Sequence, residues 1–426
     1  MERKLKIGVF GGKRGEIMID VLLSHPEAEL VAVCDKYRPI LDKVEEKAKE
    51  KNCKVSVYEN FSDFEKHEMD AVVLANYATE HATYAIRLLK AGKHVLSEVL
   101  PCETMAQAVE LIEAVEESGK VYAYAENYCY MAQTFEMWKR YEKGEIGEVL
   151  YAEGEYVHDC GSIWPQITYG DRNHWRNHLY STFYCTHSLG PLMTITGMRP
   201  KSVIGIETKP VDWMIDLGSV NGCASGIEMV TMENGAVFKS LHGALKREPG
   251  SVNYEVYGDK GVMESDRWDQ KKLSVYKEGE ELCKGELEHY EPQSGITPEM
   301  AEKFASHGGS DFYATHFFIE KILGTEEGKK YSIDIYQAVD MGICGILAYR
   351  SILNGNVPIA IPDFRNKEER DAYRNDRACT TPEVAGDQLI PAYHTGDIEI
   401  ADAVYDKVKE MFEESERKKL AEATKS

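Results

Sequence analysis

The 426-residue sequence contains no long run of apolar residues. A membrane-spanning helix needs about 20 such residues in succession, so we expect no transmembrane segment. The first apolar stretch, residues 7–10, is interrupted by glycines, and no small-residue cleavage site follows it. A secretory signal peptide requires a longer apolar region. We therefore expect a cytoplasmic protein with no membrane partner.

Basic residues are scarce relative to acidic ones. The chain has 50 lysines and arginines against 72 aspartates and glutamates, which gives a formal net charge of −22. Nucleic acids and anionic membranes are bound by basic surfaces, so neither is expected as a main partner. Hydrophobic residues make up 43% of the chain, which is typical of a folded globular protein and excludes intrinsic disorder.

Closely spaced cysteine pairs are absent as well. The ten cysteines form no CxxC motif and no spacing typical of zinc sites. We therefore predict reduced thiols and no structural metal centre. At roughly 150 residues per domain, the length favours two or three domains.

What the sequence does contain is a regular alternation of short apolar runs and amphipathic segments near its start. The connections between them are short, which favours a doubly wound parallel sheet with helices on both faces. The predicted strands lie at residues 5–10, 30–34, 71–75, 94–97 and 121–125.

The pattern changes after Tyr130. Between residues 149 and 277, alternating apolar and polar runs are interrupted by glycine and asparagine. This pattern is typical of a mostly antiparallel sheet with one open face. Helical patterns return at residues 311–323 and 335–353.

We therefore predict an α/β protein with three parts. A Rossmann dinucleotide-binding domain covers residues 1–127, and an α/β domain at 128–364 binds substrate and carries the large, open-faced sheet. A charged tail follows at 365–426, with an amphipathic helix at 398–420 as a surface or subunit-contact element. We expect the second domain to support a homodimer or homotetramer.

A glycine-rich turn follows the first predicted strand. It contains Gly11, Gly12, Arg14 and Gly15, and Asp35 ends the next strand. Glycines let the backbone approach a pyrophosphate at the following helix, and a carboxylate at Asp35 can bind ribose hydroxyls. The carboxylate repels a 2′-phosphate, which favours NAD over NADP. The motif G-x-G-x-x-G is not intact, so a tight turn without nucleotide is the alternative.

Polar residues also occur at later strand ends. Asn76 and His81 follow the third predicted strand, Glu98 follows the fourth, and Asn127 follows the fifth. Ligands of open α/β sheets bind beyond the carboxyl ends of the strands. We therefore predict that these four side chains contribute to the cofactor site.

The stretches ANYATEH and GKHVLSEVLP resemble the Gfo/Idh/MocA oxidoreductases. The resemblance implies a Rossmann domain followed by an open-faced α/β domain, with an NAD(P) cofactor and a sugar or cyclitol substrate. Most members carry Glu-Lys-Pro where this chain has Glu98, Val99, Leu100 and Pro101. The lysine that assists proton transfer in those members is therefore absent.

A more specific resemblance begins at Glu126. The stretches ENYCY, GEIGEV, YVHD, HWRN, YCTHSLGPL and HGGSDF occur in the order seen in glycoside hydrolase family 109. This is a Gfo/Idh/MocA branch typified by NAD-dependent α-N-acetylgalactosaminidases. The resemblance covers most of residues 5–345 and implies a small glycoside as substrate. Cys185 and Ser188 replace the proline and glycine of the family motif.

Three residues in these stretches are candidate acid–base groups. Tyr184 and His187 are three positions apart, so on a helical turn they share one face. Tyr156 lies on a predicted strand. Sugar oxidation beside NAD requires a base for the hydroxyl proton, so we predict His187, Tyr184 and Tyr156 as catalytic residues.

Four further residues are candidate substrate contacts. Arg176 offers a fork of donors for hydroxyls or an acyl carbonyl, and Trp175 offers a ring face for a pyranose. His158 alternates with Tyr156 on the strand and so shares its face, while His307 is included through the family motif.

Two alternatives concern neighbouring residues. His158, Asp159 and His174 have side chains that could contribute to a divalent metal site, although their spacing is not diagnostic. Asp311 precedes a predicted helix, so we interpret it first as an N-cap and second as a substrate contact.

The resemblance implies a glycosidase that works through transient oxidation. NAD oxidises sugar C3, the C1 substituent is eliminated across C1 and C2, water adds, and the ketone is reduced again. His187 is expected to serve the C3 hydroxyl and Tyr184 or Tyr156 the C2 proton, and these roles could be exchanged. The alternative is an NAD-dependent glycoside 3-oxidase, or sugar dehydrogenase, that releases the ketone. A catalytically idle NAD(H)-binding regulator is a third possibility, disfavoured by the presence of Arg176 with Tyr184 and His187.

Overall fold

In the computed structural model, residues 3–281, 284–293 and 309–423 are described. Two sheets organise these residues, one parallel and one largely antiparallel. Within the described ranges, no helix is both long and apolar enough to span a bilayer.

The first sheet confirms the predicted Rossmann architecture. Its strands are β1 Leu5–Phe10, β2 Ala28–Cys34, β3 Ser56–Tyr58, β4 Ala71–Leu74, β5 His94–Ser97 and β6 Tyr122–Tyr124. They are all parallel and stand in the order β3-β2-β1-β4-β5-β6. The helices associated with them are α1 Glu16–Leu22, α2 Arg38–Glu50, α3 Phe61–Phe64, α4 His81–Lys90 and α5 Met105–Ser118.

Burial explains why these segments form central strands. All four residues of β4 are buried, as expected for a strand covered by helices on both faces. The strand order reverses between β1 and β4, and this switch point is where an open α/β sheet binds its ligand. Sequence reasoning missed β3 because its three residues are only half-buried and form no apolar run.

The second sheet has nine strands in the described chain, and it confirms the predicted mostly antiparallel sheet. They are β7 Val149–Val157, β8 Pro200–Glu207, β9 Gly226–Met232, β10 Val237–Gly243, β11 Ser251–Gly258, β12 Gly261–Ser265, β13 Leu273–Glu278, β14 Gly285–Tyr290 and β15 Ile359–Ala360. Their order is β14-β13-β12-β11-β7-β10-β9-β8-β15. Among the paired strands, β7 and β10 are parallel.

Helices of the second half and the tail complete the architecture. They are α6 Ala132–Glu142, α7 Trp164–Thr168, α8 Thr186–Thr196, α9 Asp212–Ile215, α10 Ser310–Leu323, α11 Glu326–Tyr331, α12 Ile335–Leu353, α13 Lys367–Asp371, α14 Pro382–Ala385 and α15 Asp402–Ala423.

Helix α8 lies directly on the second sheet. A Cβ added at Gly154 in β7 would lie 1.8 Å from the carbonyl oxygen of Ser188, so only glycine allows this approach. The hydroxyl groups of Ser188 and Ser240 in β10 are 2.6 Å apart. These contacts fix the first turn of α8 over the centre of the sheet.

The tail contacts both halves of the chain. In α13, Arg370 forms two hydrogen bonds with Glu116 of α5, at 2.8 and 3.0 Å. Further on, Tyr405 and Val408 in α15 are buried, and α15 packs against α7. The charged tail therefore contacts the remainder of the chain through its ordered helices.

Candidate active site

A cavity of about 430 Å³ lies between residues at the strand ends of the first sheet and one face of the second sheet. Most of the side chains predicted from sequence line it. His307 lies outside the described residues, and Gly11, Gly12, Gly15 and Asp35 lie outside the lining set. The predicted residues that line the cavity are Arg14, Asn76, His81, Glu98, Asn127, Tyr156, His158, Trp175, Arg176, Tyr184 and His187.

The glycine-rich turn brings β1 close to β4. Gly11 has φ +95°, and a Cβ there would lie 2.3 Å from the carbonyl oxygen of Ala75. The backbone N–H of Gly12 donates to Asp35 Oδ2 at 2.8 Å, and that of Tyr37 donates to Oδ1 at 2.8 Å. The turn and the Asp35 carboxylate therefore lie together, as a dinucleotide site requires.

The polar groups beside this turn fit NAD. Asn76 Nδ2 donates to Glu80 Oε2 at 3.0 Å. Its Oδ1 is buried and has no hydrogen-bond partner among the described residues. An unsatisfied buried acceptor is costly, and a ribose hydroxyl would satisfy it. The glycine turn, Asp35 and Asn76 are therefore suited to hold the phosphates and riboses of the cofactor.

Arg14 connects the turn to the cavity. Its Nη2 lies 2.6 Å from Glu98 Oε1 and 2.9 Å from Asp311 Oδ1. Burial lowers the pKa of Arg14, but the two carboxylates outweigh burial and hold it above the usual range. The arginine is therefore permanently charged where the cofactor site meets the cavity.

The N-cap prediction for Asp311 is wrong. Helix α10 begins at Ser310, and its N-cap is Gly309 in a left-handed conformation with φ +85°. Asp311 is instead fully buried in the first turn and pairs with Arg14.

The imidazole of His187 is held by a buried carboxylate. His187 Nδ1 lies 2.8 Å from Glu126 Oε1, and because a carboxylate accepts, Nδ1 carries the hydrogen. The ring nitrogen Nε2 is then the one that can accept a proton. The Tyr254 hydroxyl also donates to the backbone carbonyl of His187 at 2.6 Å, which fixes the residue at the start of α8.

Three tyrosine rings surround this histidine. The ring centroid of His187 lies 4.8 Å from that of Tyr128, 4.6 Å from that of Tyr156 and 5.6 Å from that of Tyr184. The Tyr184 and His187 rings are nearly parallel, with planes 10° apart. The predicted proximity of Tyr184 and His187 is thus observed, although Tyr184 lies just before α8.

Arg176 supports one of these tyrosines. Its Nη1 donates to the Tyr184 hydroxyl oxygen at 2.9 Å, and its guanidinium lies 4.3 Å from the Trp175 ring centroid. Burial raises the pKa of Tyr184, whereas the charge and hydrogen bond of Arg176 act against that rise. The pKa of Tyr184 therefore stays above its ordinary value, and Arg176 limits the rise.

Tyr156 has a different environment. Burial raises the pKa of its hydroxyl well above the usual value, and neighbouring Tyr128 raises it further. Burial thus raises the pKa of both tyrosines, and Tyr184 differs in having the Arg176 cation hydrogen-bonded to its oxygen. Unequal environments of this kind divide acid and base roles between like groups in enzyme sites.

The possible metal ligands are placed apart. Asp159 Oδ2 pairs with Lys246 Nζ at 2.7 Å, and His158 Nδ1 lies 3.4 Å from Cys160 Sγ. His174 instead packs against Tyr77, with ring centroids 5.0 Å apart. In the ranges that the structure describes, no three histidine, cysteine, aspartate or glutamate side chains are grouped as a metal site.

Sequence reasoning missed the carboxylate that holds His187. Glu126 belongs to the stretch ENYCY, from which Asn127 was predicted as a cofactor contact. Glu126 is fully buried, and its partner His187 is 61 positions away. The order of the motifs indicates which segments matter, but it does not show which side chains meet.

The Rossmann sheet and the comparisons with known families define a class: an NAD-binding oxidoreductase. A family profile described as "Oxidoreductase family, NAD-binding Rossmann fold" matches residues 5–126. A second, the C-terminal domain of glycosyl hydrolase 109, matches residues 220–370. These matches confirm the resemblance: the chain carries an NAD-binding oxidoreductase domain followed by a segment similar to the C-terminal domain of glycosyl hydrolase 109, and it is an NAD-dependent enzyme.

Curated relatives extend over most of the chain. A glycosyl hydrolase family 109 protein of Porphyromonas gingivalis is 25% identical over 413 residues, covering 88% of each chain. A family 109 protein of Phocaeicola vulgatus is 26% identical over 397 residues, covering 84% of this chain and 94% of its own.

Solved structures show the same fold. Levoglucosan dehydrogenase in complex with NADH and levoglucosan aligns with a TM-score of 0.67 at 16% identity, over 84% of this chain and 100% of its own. An aldose-aldose oxidoreductase from Caulobacter crescentus aligns with a TM-score of 0.65 at 18% identity, over 84% and 100%.

Proposed function

We propose that the protein is an NAD-dependent glycoside hydrolase that cleaves a small glycoside by oxidation at C3, elimination across C1 and C2, addition of water and re-reduction. The observation that carries this proposal is the presence of two separately supported bases in one cavity. Glu126 holds His187, and Arg176 holds Tyr184. A dehydrogenase needs a base for one hydroxyl proton, whereas elimination needs a second base for the C2 proton.

The residues divide the proton transfers between them. His187 Nε2 takes the C3 hydroxyl proton, and Glu126 stabilises the resulting imidazolium through Nδ1. The C3 ketone acidifies the C2 hydrogen, and Tyr184, with Arg176 at its hydroxyl, is the base that removes it. Tyr156 keeps its proton and donates a hydrogen bond to substrate oxygen. Bound NAD supplies reversible two-electron oxidation at C3.

The remaining residues hold the two reactants. The cofactor is bound by the glycine turn, Asp35 and Asn76. The pair of Arg14 and Glu98 lies next to the bound cofactor in the cavity. Trp175 offers a ring face to the pyranose. The Arg176 guanidinium lies over the indole ring of Trp175 and restrains it. The second domain, through β7 and α8, thereby places Tyr156 and His187 opposite the Rossmann strand ends.

The test is release of nitrophenol from α- and β-linked nitrophenyl glycosides, with NADH absorbance and loss of a C2 deuterium followed in parallel. We expect release without stoichiometric NADH, together with loss of the label to solvent. NADH rising one-for-one without phenol release would contradict hydrolysis and identify a glycoside 3-oxidase. Binding of NAD with no turnover of any sugar would identify a regulator.

A further inference from the structure

A second buried histidine–carboxylate pair lies in the same cavity. His242 Nε2 donates to Glu228 Oε1 at 2.8 Å. Glu228 is fully buried and His242 is 2% exposed, yet the imidazole belongs to the cavity wall. The proton transfers of the proposed function use neither residue. Buried charged groups are expensive unless they are paired, so this pair in a ligand cavity points to a chemical role.

The local structure is shaped to hold the ring. His242 in β10 is the register partner of Gly226 in β9. A Cβ at Gly226 would lie 3.1 Å from His242 Nε2 and 2.5 Å from the carbonyl oxygen of Ser181. Glycine therefore makes room for the imidazole beneath the Ser181 turn. The other ring nitrogen, Nδ1, forms no hydrogen bond with any residue that the structure describes.

The sheet places His242 beside the tyrosines. Tyr156 and His242 are register partners on the parallel strands β7 and β10, so both side chains leave the same face about 5 Å apart. Tyr156 in turn contacts His187, with ring centroids 4.6 Å apart. The order across the cavity floor is therefore His187, Tyr156, His242. On its other side, His242 borders the turn at Ser181 that leads to Tyr184.

This order matches the order of the reacting carbons. In a pyranose, C2 lies between C3 and C1. A sugar with its C3 hydroxyl at His187 and C2 at the tyrosines has C1 directed toward His242. The oxygen on C1 is the atom that must depart, and an alkoxide departs slowly unless it receives a proton.

We propose that His242, held by Glu228, donates the proton to the leaving-group oxygen at C1. The assignment rests on the proposed hydrolytic function. As Tyr184 takes the C2 proton, that electron pair forms the C1–C2 double bond, the C1–O bond breaks, and the departing oxygen takes the Nδ1 proton. In the return half, the oxygen of water bonds to C1, the C1–C2 electron pair takes a proton from Tyr184 at C2, and His242 Nδ1 takes the released water proton. Glu228 stabilises the charged ring before departure and after this return, and the ring is neutral between the two steps.

The experiment compares His242→Asn with wild type on aryl glycosides of one accepted sugar, from 2,4-dinitrophenyl to phenyl. Dinitrophenolate departs without a proton, so kcat/KM for the dinitrophenyl glycoside should change less than about threefold. For the phenyl glycoside, kcat/KM should fall by about 100-fold or more. Loss of C2 deuterium to solvent should continue in the variant, because that exchange precedes departure. Glu228→Gln keeps the side-chain size. Its loss of kcat/KM should also grow from the dinitrophenyl to the phenyl glycoside, but less steeply than in His242→Asn.

The outcomes separate the two proposals. A loss of equal size on all leaving groups, or a loss of C2 exchange in parallel with cleavage, would overturn the role of His242 alone. Lack of a leaving-group slope in Glu228→Gln would do the same if His242→Asn fails to fold. A wild-type enzyme that cleaves no glycoside would overturn the proposed function and this inference with it.

Discussion

At the scale of single residues, the site depends on side chains that set the proton affinity of their neighbours. Glu126 determines which nitrogen of His187 can accept a proton. The charged guanidinium of Arg176 donates a hydrogen bond to the Tyr184 hydroxyl. In the proposed mechanism, the proton transfers depend on these two hydrogen bonds, each shorter than 3 Å, between partners on different elements.

The Arg176 contact predicts a pH effect. Because its charge lowers the pKa of Tyr184, Arg176→Met should raise that pKa. A base works only when deprotonated, so the rising limb of kcat/KM against pH should move upward by about one to two pH units. Activity at neutral pH should fall accordingly. The measurement is a pH–rate profile of the variant and wild type on one nitrophenyl glycoside.

Two further variants control this prediction. Tyr184→Phe should remove the limb that Arg176→Met shifts, leave the limb of His187, and cost about 100-fold or more in kcat, while NAD binding persists. Tyr276→Phe, in β13 at the far side of the second sheet, should leave the profile unchanged. An Arg176→Met enzyme with a raised KM but an unshifted limb would show that Arg176 binds substrate only.

At the scale of elements, buried polar contacts join helices as well as catalytic groups. His25, just beyond α1, lies 3.1 Å from His316 of α10 between Nε2 and Nδ1. The backbone N–H of Glu27 donates to His25 Nδ1 at 3.2 Å, so His25 donates from Nε2 and His316 accepts. This arrangement requires both rings to be neutral, because a proton on either acceptor nitrogen breaks a bond.

The histidine pair predicts that stability falls in mild acid. Burial lowers the pKa of His25 to about 4 and also lowers that of His316. The unfolded chain binds protons near pH 6.5, so the stabilisation is complete above that pH and is lost as pH falls toward 4. The free energy of unfolding should decrease by about 2 kcal/mol across this window, measured by urea denaturation.

Variants separate this pair from other titrating groups. His25→Gln should flatten the fall between pH 6.5 and 4, because glutamine does not titrate. His289→Gln replaces an exposed histidine in β14 and should keep the wild-type profile. If His25→Gln retains the full decrease, the acid sensitivity originates elsewhere.

At the scale of the whole molecule, the tail supports a wall of the active site. Helix α7 contributes Trp164 and Ile167 to the cavity, and α15 packs against it. The Tyr169 ring lies 5.2 Å from the Phe412 ring, and Lys13 donates to the Tyr169 hydroxyl at 3.1 Å. The last helix thus connects, through one tyrosine, to the glycine-rich turn at the other end of the chain.

Substitution of Gly170 should loosen this connection. A Cβ there would lie 2.4 Å from the backbone nitrogen of Lys409, and φ is +67°. Gly170→Ala should therefore cost the penalty for a left-handed alanine, about 1 to 2 kcal/mol, plus about 1 to 3 kcal/mol for overpacking. Because α7 moves with it, KM for the glycoside should rise. Urea denaturation and steady-state kinetics provide both measurements.

Gly144 supplies the matched control. Its φ is +74°, but a Cβ there meets no atom within 4 Å. Gly144→Ala should therefore show the conformational cost without the packing cost, and its KM should stay at the wild-type value. Equal stability losses in the two variants would refute a packing role for Gly170.

Local pattern was enough for much of the fold. The apolar run at β4, the alternation along β7 and the periodicity of α12 each report burial of neighbouring residues, which a linear sequence encodes directly. The glycine-rich turn and Asp35 likewise predicted a dinucleotide site, and the ordered motifs predicted the family. These features depend on residues within one element or one turn.

Only tertiary structure could decide the pairings. Glu126 meets His187 across 61 positions and Arg14 meets Asp311 across 297. Glu228 meets His242 because they occupy diagonal positions on one face of adjacent strands. Whether a buried carboxylate faces an imidazole, a guanidinium or nothing depends on how sheets and helices stack. The sequence determined which chemical groups are present, and packing determined which of them share a proton.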